Sequence, residues 1–258
     1  MTRARRAPGS IHAVFDATWR QLHEHEQALF AALSVFRGGF SRAAAEEVGG
    51  ATMRQLSGLA AKSLIHFDRV RNRYTLHEMV RQFASSKLAD SPVQEALVRR
   101  RHSVRYCTIA QTLGIELLGA RQIEAIGRAE PQAENLRVAW QWAIDQLEWP
   151  LVKMSMDGLG RFYEWLGRLQ DGVAGAQIAV SALRAADDAV AHILLGEALT
   201  WCSVFAFAQG KTDDAVEQLK EALRLLEGES ESEAEEGLVV KRAFAWLQAG
   251  IQATSWGR

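Results

Sequence analysis

Proline and cysteine are scarce in this chain, with four and two residues respectively among 258. So few prolines leave few forced breaks, which favours long helices over a many-turned β architecture. Cys107 and Cys202 lie far apart within apolar helical patterns, and neither has metal-ligand spacing with a histidine. Both are expected to be reduced core residues, and a disulfide framework is set aside. The basic start MTRARRAPGS is not followed by an apolar stretch of signal-peptide type, and no membrane span is read, so the expected compartment is the cytoplasm. Catalytic signals are missing too. His23-Glu24-His25 is an i,i+2 pair, unlike the i,i+4 pair of a zinc helix, and reads as a solvated helix end. No serine or cysteine carries a recognisable histidine-and-acid constellation.

What is present is enough chain for two domains, with 48% hydrophobic residues. The formal charge of −1 conceals an asymmetry: residues 1–110 hold 17 Lys+Arg against 9 Asp+Glu, and residues 111–258 hold 13 against 22. A basic first half suits phosphate and an acidic second half repels it, although two solvated surfaces of different charge would look the same.

Residues 1–9 are expected to be a disordered leader. Ser10 caps a predicted helix to Leu22, and a second runs over Glu24–Leu33 with Leu29, Phe30 and Leu33 inward. Phe36-Arg37-Gly38-Gly39-Phe40 breaks the pattern, its glycines suiting positive φ and its aromatics suiting burial. Ser41 caps a short helix ended by Gly49-Gly50, and Thr52–Ala61 is predicted as another, through Met53, Leu56, Leu59 and Ala60. Leu64, Ile65 and Phe67 are predicted on one strand, and Tyr74 and Leu76 on the next, joined by a basic tip. A helix then opens on His77. Beyond Ser91 the pattern is helical only, with segments at Val93–Leu118, Gln122–Arg128, Pro131–Gln146, Leu151–Leu166, Ala174–Ala186, Val190–Gln209, Thr212–Glu227 and Glu236–Thr254. EGESESEAEE, residues 227–236, reads as a charged loop.

The expected fold is mostly α. Residues 10–90 supply the parts of a winged helix, short helices plus a two-stranded wing. Residues 91–150 form a helical linker. Residues 151–258 form an α-helical solenoid of tetratricopeptide type, stopping within its array. Gly196–Glu229 carries the repeat signal: Gly210 makes the turn, Ala215 and Ala222 permit close helix packing, and Leu219 fills the large-residue slot. Gly158–Leu183 reads as a diverged relative with its turn at Gly167. Helical hairpins need stacked neighbours, so one repeat implies others.

Phe36–Phe40, Lys62-Ser63-Leu64 and Tyr74–Ala84 (YTLHEMVRQFA) resemble the winged-helix and sensor region of bacterial signal-transduction ATPases with numerous domains (STAND, NB-ARC-type). That group is related to the nucleotide-binding cores of plant resistance proteins and apoptotic adaptors. Glu134-Asn135-Leu136-Arg137 and Ala139–Ala143 resemble the linker helix that follows in the same proteins, and together the blocks span Ile11 to Leu226. The resemblance implies that His77 senses the β-phosphate of ADP, since Leu76-His77-Glu78 stands where the family has Met-His-Asp. An imidazole donor can bond a phosphate oxygen. A helix cap beside a hairpin would place a histidine in the same way. The family's motor needs a Gly-rich phosphate loop with Lys-Ser/Thr, and no G-x-x-x-x-G-K-[ST] occurs here. This polypeptide alone is therefore expected to hydrolyse no ATP and to hold no cofactor. ADP or ATP with Mg²⁺ enters only with a nucleotide-binding domain in cis or trans.

The implied role is the regulatory portion of a signal-transduction ATPase or transcriptional regulator. Its repeats would bind a protein or ligand stimulus, and activation would assemble an oligomer. Two alternatives stay open. One is a stand-alone repeat scaffold for a protein partner. The other is direct DNA binding, with Arg69, Arg71 and Arg73 on the wing and Arg99-Arg100-Arg101 neutralising phosphates. Against the latter, Thr52–Ala61 offers only Arg54, Gln55 and Ser57 as base readers. The tryptophans read mostly as core anchors of helix pairs.

Overall fold

The computed structural model of the chain describes residues 11–186 and 189–227, together with Ala245 and Gln248. The expected leader, the Ser10 cap, the 227–236 loop beyond Glu227 and most of the last predicted helix lie outside the described residues. The described part is mostly helical with one two-stranded antiparallel sheet. It divides into two compact units: Met1–Arg105 with Pro131–Asn135, and Tyr106–Glu130 with Leu136–Arg258. Residues 91–150, read from sequence as a linker, contribute to both.

The first unit starts with α1 (Ile11–Arg20) and α2 (Glu24–Ala32), followed by a 3-10 turn at Leu33–Val35. Leu29, Phe30 and Leu33 are buried, and the Trp19 ring lies 6.2 Å from both Phe30 and Phe83. The helices α3 (Arg42–Gly49) and α4 (Met53–Ala61) begin where hydroxyl side chains cap them. Ser41 Oγ accepts from the Ala44 N–H, and Thr52 Oγ1 accepts from the Gln55 N–H while the Gln55 side chain bonds back to the Thr52 N–H. Gly50, at φ +68, ends α3 in the left-handed conformation. Glu26 of α2 holds both carboxylate oxygens 2.7 Å from Lys62 Nζ at the end of α4, and this pair keeps the Glu26 carboxyl below its ordinary range.

The hairpin is shorter than the hydrophobic run predicts. Its strands are β1 (His66–Asp68) and β2 (Arg73–Thr75). Leu64 and Ile65 are buried but lie before β1, because the chain is still closing α4 there. Ser63 turns at φ +57, and the Leu64 N–H bonds back to the Leu59 carbonyl. Leu76 likewise falls outside β2. Met53 is 52% exposed, so the buried face of α4 is carried by Leu56 and Leu59. The other edge of β2 is paired as well: Phe40 and Tyr74 exchange backbone hydrogen bonds of 2.9 and 2.8 Å. The helices α5 (Glu78–Ala89) and α6 (Pro92–Glu116) follow.

The second unit takes the later turns of α6 and then α7 (Gln122–Ala129); the chain passes through a 3-10 turn at Glu130–Gln132 into α8 (Ala133–Asp145), whose residues from Leu136 onward belong to the second unit. Pro131 sits in that turn rather than at a helix start. Two helical hairpins follow, α9 (Trp149–Trp165) with α10 (Leu169–Arg184) and α11 (Ala189–Ala208) with α12 (Thr212–Glu227). Gly167 at φ +65 and Gly210 at φ +77 stand at their turns. Ala215 and Ala222 are fully buried and Leu219 is buried where α12 packs on α11. A Cβ on Gly160 would lie 2.3 Å from the Trp201 ring, and one on Gly172 would lie 2.5 Å from the Phe205 ring. The run Val190–Ala208 is long and apolar enough to cross a bilayer by length and composition, yet 72% of its most apolar window is buried, as in a core helix.

Candidate functional site

The turn Phe36–Phe40 and strand β2 organise the first unit's polar centre. Gly39 adopts φ +93, and a Cβ there would fall 2.8 Å from the Tyr74 carbonyl oxygen, so only glycine lets the turn lie against β2. The Gly39 carbonyl accepts from Asn135 Nδ2 at 2.9 Å and from the Arg73 guanidinium at 2.8 Å, which uses both of its lone pairs. Asn135 Oδ1 accepts from the Arg37 N–H at 2.8 Å and lies 3.1 Å from His102 Nε2. One backbone donor and one backbone acceptor fix the amide's orientation, so His102 carries its proton on Nε2. Burial is the main force on that imidazole and holds its pKa down to about 4, with Arg37, Arg99 and Arg105 adding repulsion. His102 and Asn135 are both buried.

An aromatic ladder runs beside this polar cluster. Ring centroids are separated by 4.7 Å for Phe67–Tyr74, 5.8 Å for Tyr74–Phe40, 4.6 Å for Phe40–Phe36 and 5.3 Å for Phe36–His102. Apolar packing and hydrogen bonding therefore hold the same turn, and β2 is fixed from both edges.

Two residues beyond β2 stands His77, exposed, at the N-cap of α5. Its backbone is extended, and its Nδ1 accepts from the Met79 N–H at 3.4 Å. With Nδ1 as acceptor the neutral ring carries its proton on Nε2, at the first turn of a helix whose N–H groups favour an anion. The cap expected of a histidine in this place and the donor expected of a phosphate sensor coexist in one tautomer. Glu78 turns away along the helix. It accepts from Arg81 at 2.8 and 2.5 Å and from Gln82 at 2.9 Å, and these bonds draw its carboxyl down to about 2.

The three arginines expected on a wing, Arg69, Arg71 and Arg73, separate. Arg69 and Arg71 are exposed on the turn after β1, beside Val70, which is 97% exposed. Asp68 shapes that turn by accepting from the Val70 and Arg71 N–H groups at 2.9 and 3.0 Å, and its carboxylate lies 3.5 Å from the Arg71 guanidinium. Arg73 is instead turned back onto the Gly39 and Pro131 carbonyls, at 2.8 and 3.1 Å. Arg73 opens β2 opposite Asp68, and its guanidinium is engaged by these carbonyls, unlike the exposed Arg69 and Arg71. Gln55, expected as a base reader, is spent on the α4 cap. The His102–Asn135 pair was missed from sequence. Its signal was an asparagine next to Leu136 and Ala139 on the apolar side of a helix. Both cysteines are buried, and burial pushes the Cys202 thiol up to about 12, far from nucleophilic use.

No family model matches the chain. Proteins of Mycobacterium tuberculosis and Mycobacterium bovis that carry the name HTH-type transcriptional regulator are 36% identical to it over 143 residues, covering 52% of this chain and 16% of each relative. The chain thus spans about a sixth of the length of the curated relatives it matches. Among solved structures, a STAND protein with a tetratricopeptide repeat sensor from Pyrococcus horikoshii aligns over 98% of this chain and 52% of its own, at 13% identity and a TM-score of 0.27.

Proposed function

We propose that this chain is the regulatory portion of a STAND-type signal-transduction ATPase or transcriptional regulator. In this reading the first unit senses ADP held by a nucleotide-binding domain in cis or trans, and the helical unit receives a protein stimulus. The observation that carries it is His77, exposed at the start of α5 with Nδ1 engaged by the Met79 N–H and Nε2 left as the donor. The name borne by the mycobacterial relatives supports an output in transcription. Glu78, bound to its own helix, serves the start of α5 rather than the phosphate.

The test uses the chain joined to its nucleotide-binding domain, with bound ADP quantified after denaturation. His77→Ser keeps a capping oxygen but removes the imidazole donor. Losing a hydrogen bond to a charged group costs about 1.5–3 kcal/mol, so ADP should be released roughly ten- to a hundredfold faster. Retention equal to wild type overturns the sensor role. The stand-alone scaffold then takes its place.

A second reading, direct DNA contact, is favoured by the exposed Arg69 and Arg71 at the hairpin tip. It is opposed by the inward turn of Arg73 and the use of Gln55 in a cap. Anisotropy with labelled duplex at low salt decides it, since phosphate-driven binding is strongest there.

A further inference from the structure

The second unit contains a hollow of about 550 Å³ between α6, α9 and α11. That volume lies within the range of ligand sites, roughly 300–1,000 Å³. Its floor is set by glycine. A Cβ on Gly158 would fall 1.7 Å from the Ala110 carbonyl oxygen, and one on Gly114 would fall 3.0 Å from Gly158 Cα, so α6 and α9 touch backbone to backbone there.

The walls above that floor differ. Ile115 of α6 and Leu118, in the turn that follows it, are 71% and 68% exposed, and Met154 of α9 faces the same space. The other wall is a charged stripe on α9, Lys153, Asp157 and Arg161, each four residues from the next. Asp157 is held in place: its Oδ1 accepts from Trp201 Nε1 at 3.1 Å, and Arg161 lies 3.9 Å from its carboxylate and 5.9 Å from the Trp201 ring. Glu197 of α11 and Gln111 of α6 complete the polar lining.

Among the described residues the lining includes no aromatic ring on which a nucleobase would stack. Charges of both signs in alternation do not select a simple anion or cation. They complement an acidic–basic–acidic series of the same pitch. Walls made of helices offer side chains but no backbone ladder, so an extended segment would leave its peptide groups unbonded against Ile115 and Leu118. A helix satisfies its own backbone and presents aliphatic and charged stripes side by side.

We propose that this groove docks an amphipathic helix of a partner protein, with aliphatic side chains against Ile115, Leu118 and Met154 and an acidic–basic–acidic stripe at four-residue spacing along Lys153, Asp157 and Arg161. The inference rests on the helical unit being the receiving part of the switch and names the chemistry of what it receives. Because the test needs no nucleotide, its failure is distinct from failure of His77 sensing.

The full chain is used to select from a displayed random-peptide library, and enriched peptides are measured by anisotropy and circular dichroism. Enriched sequences should share aliphatic residues at three- and four-residue spacing and a basic residue flanked four positions away by acids, and they should become helical on binding. Leu118→Asp and Lys153→Glu should each weaken binding about tenfold or more. Exchanging one peptide acid for lysine should restore affinity for Lys153→Glu. Both positions are exposed, and Ile115→Ser stands in should Leu118→Asp fail to fold. Overturning results are no enrichment, enrichment of peptides that bind without helix formation, and affinity indifferent to Leu118 and Lys153.

Discussion

Replacing Asn135 with alanine tests whether the buried amide holds the Phe36–Phe40 turn. The substitution removes three hydrogen bonds but does not orphan three groups. The Gly39 carbonyl keeps the Arg73 guanidinium, whereas the Arg37 N–H and His102 Nε2–H lose their acceptor. Removing the acceptor of a buried donor such as His102 Nε2–H costs about 1–3 kcal/mol and that of the half-buried Arg37 N–H less, so the loss should be about 3 kcal/mol. That is a large share of a typical stability of roughly 5–15 kcal/mol. Urea unfolding followed by circular dichroism gives the global loss. Hydrogen exchange of the Phe36–Phe40 amides gives the local one. His102→Phe on the Asn135→Ala background removes one orphan, so the double variant should be less destabilised than the two single losses added, by about 1–2 kcal/mol. A loss below about 1 kcal/mol for Asn135→Ala, or strict additivity in the double variant, refutes the clamp.

Gly158→Ala should destabilise the second unit by roughly 1–3 kcal/mol, because the new methyl meets the Ala110 carbonyl oxygen on backbone that cannot step aside. Gly167→Ala, in open space at φ +65, should cost only about 1 kcal/mol, and thermal denaturation of the two variants side by side checks the order. His102 gives a pH signature. Its folded pKa is lowered from 6.5 to about 4, so the unfolded chain binds the extra proton first. Its contribution is complete above pH 6.5 and is lost as pH falls toward 4. The fall in urea midpoint across that window should be shallower in His102→Gln. An unchanged slope would count against a buried neutral imidazole.

Local chemistry was the legible part of this fold. Ser41 caps a helix at the predicted position, Gly38 and Gly39 take positive φ, and Thr212–Glu227 is a helix with the predicted bounds. Each follows from short-range rules that act within a turn of chain. Leu64 and Ile65 were misplaced because a buried apolar pair looks the same in a strand and in the bend that ends a helix. Only the left-handed Ser63 distinguishes the two, and serine does not announce that conformation. At the candidate site, His77 was visible as a cap and, through resemblance, as a sensor. The Asn135 clamp was not, because its partners lie 33, 96 and 98 positions away and share no pattern with it. The contacts of Arg73 were hidden for the same reason, its acceptors being backbone carbonyls that no side-chain motif encodes.

The notches at Gly160 and Gly172 bear on how the second unit's sequence can change over time. Trp201 fills the space a Cβ would take on α9, and Phe205, one turn along α11, does the same on α10. Neither glycine can enlarge while its ring stays large, so each position's tolerance is set by a residue on another helix. Substitutions there should be accepted as matched pairs, a larger residue at Gly160 accompanying a smaller one at Trp201. Coupled variation of this kind would record which faces of α9, α10 and α11 have stayed together through divergence, even where outward-facing residues have drifted beyond recognition.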